Sequence, residues 1–155
     1  MSAKTLQSAQ VASGVVPRAI HAGTLSTYGV YSLTATLSTG DVIEMCKVPN
    51  GAIIHDIKVG IVGALHVNAK MNVGTAADHD QFIMSASCNA TRIFNMDSTY
   101  GAGGGLGYKF SLSDSAATRY SLIKIKISDA DSVTGTNAGS VRMLVQYSMD
   151  TPGAS

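Results

Sequence analysis

From Thr24 onward, apolar and polar residues alternate with a period of two. Tyr31, Leu33, Ala35 and Leu37 are separated by Ser32, Thr34 and Thr36. Successive side chains of a strand point to opposite faces, so this spacing predicts a strand with one face buried. Gly40-Asp41 predicts a turn, followed by a mostly apolar strand from Val42 to Lys47. Val48-Pro49-Asn50-Gly51 ends it, with Pro suited to the first central position of a type I or II turn and Asn or Gly accepting a positive φ. Ile53, His55, Ile57, Val59 and Ile61 then form one face, with Asp56 and Lys58 on the other. Leu65, Val67, Ala69, Met71 and Val73 alternate with His66, Asn68, Lys70 and Asn72.

The second half continues the pattern. Gly74 to Asp80 predicts a turn, after which Phe82, Met84 and Ala86 resume alternation. Ile93, Phe94 and Met96 fit a short helix or an irregular strand. Tyr100 to Gly107 is a glycine-dense loop, and Tyr108, Phe110 and Leu112 form a short strand before the turn Ser113-Asp114-Ser115. Ile123, Ile125 and Ile127 alternate with Lys124 and Lys126, and Asp129 to Gly139 is a polar loop. Val141, Met143, Val145, Tyr147 and Met149 close the domain. Eight or nine short strands with turns between them, and no convincing helical period, predict an all-β sandwich or barrel. Strands with one apolar face suit two facing antiparallel sheets.

Residues 1–23 read differently. Met1 to Gln10 is rich in Ser, Ala and Gln without an apolar face, and Pro17 biases Val16 to an extended conformation. The expected organisation is an extended N-terminal arm over 1–23, a β-sandwich domain over 24–150 and a short polar tail over 151–155. A frayed terminus is the alternative for the arm.

Composition sharpens this reading. Of the ten acids only Glu44 is Glu, and Asp favours turns and caps over helix interiors. A chain of 155 residues buries enough surface to fold as one domain without a disulfide or metal. Charged residues make up only 14% of it, which suggests a surface partly covered by other protein. The net charge is +1 and no basic cluster exists, so neither nucleic acid nor membrane is an expected partner. Cys46 and Cys88 follow no secretory signal and read as buried free thiols.

No constellation of side chains carries chemistry. The run Gly101 to Gly107 lacks the following helix and the Gly-Lys-Ser/Thr of a phosphate loop. Asp78-His79-Asp80 is a local metal-capable cluster, but neighbouring side chains diverge in extended backbone. Asp129, Asp131 and Asn137 lack the bidentate carboxylate of a calcium loop, so turn capping is the better reading of both segments. His21, His55, His66 and His79 are far apart in sequence, and His55 reads as a core or interface histidine. No catalytic residue, cofactor or metal is expected, and the chain reads as no enzyme.

Three stretches resemble a family of small virion proteins from tailed phages. They are Met1-Ser2-Ala3-Lys4-Thr5-Leu6-Gln7-Ser8 with Gly14-Val15-Val16-Pro17-Arg18, then Gly40-Asp41-Val42-Ile43-Glu44-Met45 running into Lys47-Val48-Pro49-Asn50-Gly51-Ala52, and Val73-Gly74-Thr75 with Asp78, Asp80 and Phe82-Ile83. Beyond Ile83 the likeness is one of pattern only. The resemblance implies a β-rich, jelly-roll-like capsid-bound protein with no catalytic residues to carry over. It implies a capsid decoration (cement) protein, made in the host cytoplasm, that binds the outside of the major capsid protein shell in the virion. Another virion component (head fibre base, tail or adaptor protein) and a non-viral β-sandwich ligand-binding module are the alternatives. Lys4, Leu6, Val11, Val15, Val16, Pro17 and Arg18 are the expected contacts with a coat protein or a neighbouring subunit, because this segment cannot pack a core alone. Apolar neighbours on second faces (Val42, Ile54, Leu122, Leu144) suggest self-association. A trimer follows from analogy with other decoration proteins, with a dimer as the alternative.

Overall fold

A computed structural model describes residues 3–14, 23–34, 36–63, 65, 69–96, 107–110, 120–129 and 139–149. Within them lie β1 (Thr5–Gln7), a one-turn helix α1 (Ala9–Ala12), β2 (Leu25–Ser32), β3 (Val42–Pro49), β4 (Ala52–Val62), β5 (Lys70–Gly74), β6 (Ile83–Ser87), β7 (Arg92–Asn95), β8 (Tyr120–Asp129) and β9 (Ser140–Met149). The predicted all-β sandwich is what the chain forms. One sheet has the order β1-β3-β8-β5-β6 and the other β2-β9-β4-β7. Successive strands from β2 onward change sheet at each step except between β5 and β6, so most pairings are long-range in sequence.

The alternating residues supply the core. Ile57, Val59 and Ile61 of β4, Val141, Met143, Val145 and Tyr147 of β9, and Ile123, Ile125 and Ile127 of β8 are all buried. Each such side chain contributes about 1.5–3 kcal/mol on leaving water. At one corner β2 meets β3, and a Cβ on Gly29 would collide with the Met45 carbonyl. Only glycine lets the two backbones approach there.

The register shifts at four places among the described strands, and three of these shifts correct the strict alternation. In β3 the register slips between Glu44 and Cys46, so Ile43, Met45, Cys46 and Val48 are all buried. In β4 it slips between Ile54 and Asp56, turning Ile54 inward. His55, expected on the apolar face, is therefore exposed and hydrogen-bonds Ser148 Oγ at 2.7 Å. In β6, Met84 and Ser85 together oppose Asn72. Ser85 has φ 53° and donates its N–H to Asn72 Oδ1 at 2.8 Å. Met84, expected inside, is exposed, while Ile83 and Ala86 are buried. An extra residue inverts every later side chain unless a bulge absorbs it, and hydropathy alone does not mark where that happens.

Residues 3–14 also depart from the extended-arm expectation. Thr5–Gln7 runs parallel to Val42–Glu44 as an edge strand. Ser8 caps α1, its side chain accepting from Val11 N–H at 3.3 Å and donating to the Met45 carbonyl. Ser8 N–H donates to the Glu44 carbonyl at 2.7 Å and Lys47 N–H to Gln10 Oε1 at 2.9 Å. The local signals were a three-residue alternation at Thr5-Leu6-Gln7 and an N-cap serine, both too short to stand out. The unpaired edge of β3 is what makes them fold. The expectations for Val15 to Ala22, for Val67 and Leu112, for most of the Gly101–Gly107 loop and the Asp129–Gly139 loop, and for the tail over 151–155 lie outside the described residues.

Candidate interaction site

The chemistry-bearing side chains come first. The turn after β5 is closed by Thr75 N–H donating to the Asp78 carbonyl at 2.7 Å and Asp78 N–H to Thr75 Oγ1 at 3.1 Å. Gly74 lies so close beneath it that a Cβ would run into the Asp78 and His79 backbone. This turn borders an open groove of about 480 Å³ lined by Asn72, Asp78, His79, Asp80, Lys126 and Ser128 among others. The Asp80 carboxyl is pushed above its ordinary value, first by a hydrogen bond with the Asp78 side chain, then by partial burial and by the Asp78 charge. Among the described residues no three His, Cys, Asp or Glu are placed to hold a metal ion. His55 lies in β4 and His79 in the turn between β5 and β6 of the other sheet, and His21 and His66 fall outside the described residues.

Cys46 and Cys88 are free and buried. Burial raises each thiol from about 9 to about 12, so at neutral pH neither is a thiolate nucleophile.

Of the expected contact residues, three are described. Lys4 is exposed, but its backbone is engaged: its N–H donates to Asp41 Oδ1 at 2.8 Å and its carbonyl accepts from Val42 N–H at 2.8 Å. Leu6 packs against the core and Val11 is buried, so both face this chain's own sandwich. Val15, Val16, Pro17 and Arg18 lie outside the described residues. Beneath the segment, Gln7 Nε2 donates to Glu44 Oε2 at 2.8 Å, and Lys124 Nζ sits 3.1 Å from Glu44 Oε1.

What the structure adds is a surface. Tyr28 is 49% exposed, Val62 44% and Ile93 75%. Tyr28 pairs with Leu144, and Leu144 with Lys58. Val30 pairs with Arg142, Arg142 with Gly60, and Gly60 with Ile93. Directly opposed residues share a face. Tyr28, Val30, Leu144, Val62 and Ile93 therefore form one apolar stripe on the outside of the β2-β9-β4-β7 sheet. The sequence showed Leu144 as an unexplained apolar neighbour. It did not show that four further residues, from three other strands, join it.

No protein-family model and no curated protein sequence matches the chain. In fold it is similar to a chain of the Ralstonia phage GP4 capsid, with a TM-score of 0.73 at 12% identity over 95% of this chain and 99% of that one. It is also similar to a chain of the cyanophage Pam1 capsid asymmetric unit, with a TM-score of 0.65 at 18% identity over 86% and 90%. At these identities the likeness is one of fold, and it runs nearly end to end: the two-sheet architecture described above is also that of chains from two phage capsids.

Proposed function

We propose that the chain is a bacteriophage capsid decoration protein that binds the outside of the major capsid protein shell and stabilises it. The observation that carries this is the near end-to-end fold likeness to a chain of the Ralstonia phage GP4 capsid. Support comes from the exposed apolar stripe. Such a protein works by binding alone. Each contact is modest, but repetition over a shell makes the combined effect large. The strand order β2-β9-β4-β7 against β3-β8-β5-β6 is read as a jelly roll, the two-sheet form built from Greek keys. A trimer on the shell is part of the same reading, resting on analogy alone.

The test is a cryo-EM map of the source particle, with the chain quantified by mass spectrometry. Decoration predicts density outside the shell and a copy number comparable with that of the coat protein. A copy number tied to a single vertex would make the chain another virion component. Absence from the particle would remove the virion reading altogether.

A further inference from the structure

We propose that the outer face of the β2-β9-β4-β7 sheet is the docking surface, and that it takes an apolar, carboxylate-bearing patch on the coat shell. This rests on the decoration reading above.

The two outer faces of the sandwich differ in character. On the β3-β8-β5 side, Glu44 is opposed by Lys124, Val42 by Lys126, and Lys126 in turn by Asn72. The N-terminal segment packs on its β3 edge. Of the four large apolar side chains most exposed among the described residues, that side holds only Met84. The other three, Tyr28, Val62 and Ile93, share the β2-β9-β4-β7 face. Gly60 lies mid-row between Arg142 and Ile93, and a Cβ built there meets nothing within 4 Å. The row is therefore flat at its centre and open to an approaching surface.

Charge selects the occupant. Arg142 stands in the middle of this face, flanked across the strands by Val30 and Gly60. No carboxylate is in register with it on either neighbouring strand. The nearest acid on β4, Asp56, already faces Lys58 at 3.7 Å. Burying a guanidinium without a partner is costly, so whatever covers this face must bring an acid. A second copy meeting the same face would bring the Lys58–Asp56 pair together with Arg142, so the facing surfaces would carry a net positive charge against their like, which disfavours self-pairing. The occupant is thus a coat surface that pairs apolar side chains with a carboxylate placed for Arg142.

The experiment is co-sedimentation with shells of the source phage assembled without this chain. The proteins are wild type, Gly60→Glu, Ile93→Glu, Arg142→Gln and, on the opposite sheet, Met84→Glu. All four changes are at surface positions, and unchanged thermal unfolding verifies folding. Wild type and Met84→Glu should bind alike. Gly60→Glu and Ile93→Glu should weaken binding by about tenfold or more, the scale of one lost anchor. Arg142→Gln should weaken it and flatten its dependence on salt. If wild type binds and the three face variants bind equally well, this inference falls and the decoration reading stands. If wild type does not bind, both fall. If light scattering shows a wild-type oligomer that Gly60→Glu dissociates while shell binding persists, the face belongs to a second copy and the inference is overturned.

Discussion

Asp41 is buried, and its carboxylate accepts the N–H of Lys4 and of Ser38, each at 2.8 Å. It ties the N-terminal segment to the start of β3. Asp41→Ala leaves two backbone donors without that partner and should cost about 1–3 kcal/mol, seen as a lower midpoint in urea. Gly29→Ala forces a methyl against the Met45 carbonyl and should cost about 1–3 kcal/mol by the same measure. Cys46 and Cys88 should resist iodoacetamide in the folded protein at neutral pH and react fully in denaturant. Their thiols, raised by burial to about 12, also fix a pH dependence. Above pH 9 the unfolded chain loses these protons while the folded chain keeps them. Stability is therefore fully present below about pH 9 and falls as pH rises toward 12, by at most about 1.4 kcal/mol per unit for each thiol. Tyr147, also raised by burial, acts in the same direction. Stability flat from pH 8 to 11 in urea titrations would contradict this. Free thiols were legible from the sequence. The role of Asp41 was not: Gly40-Asp41 read only as a turn, because the amide of Lys4 is distant in sequence.

At the scale of elements, the last two strands show how far patterning reaches. Ile123, Ile125, Ile127 and Val141, Met143, Val145, Tyr147 alternate without interruption, and each is buried as the period of two requires. Where a strand bulges, the period of two no longer marks the buried face. Two-residue spacing carried past Ile54 and Ile83 puts His55 and Met84 inside, and both are exposed. The N-terminal segment failed differently. Thr5–Gln7 has too little apolar surface to declare itself and becomes a strand because the β3 edge offers partners. Removing residues 2–12 would expose that edge and strip the Gln7 contact from Glu44, which is paired with Lys124. The truncated protein should unfold at a measurably lower temperature and aggregate more readily, read by scanning calorimetry and light scattering. An unchanged midpoint would mean that the segment contributes nothing to the fold.

The whole molecule is a sandwich whose two outer faces differ, and far-UV circular dichroism should be dominated by strand. The alternation of apolar and polar residues, the Asp-rich acids and the turn glycines were enough to establish an all-β sandwich. One buried face per strand is a local property, written into neighbouring residues. Strand order is not local. It depends on which edges meet, so the interleaving of β2-β9-β4-β7 with β3-β8-β5-β6 emerged only in three dimensions. The interaction surface is of the same kind. Tyr28, Leu144, Val62 and Ile93 are scattered along the chain, and each alone is an ordinary exposed or half-buried apolar residue. Cross-strand register makes them one stripe around Arg142 and Gly60, because pairing places on one face residues that the sequence keeps far apart.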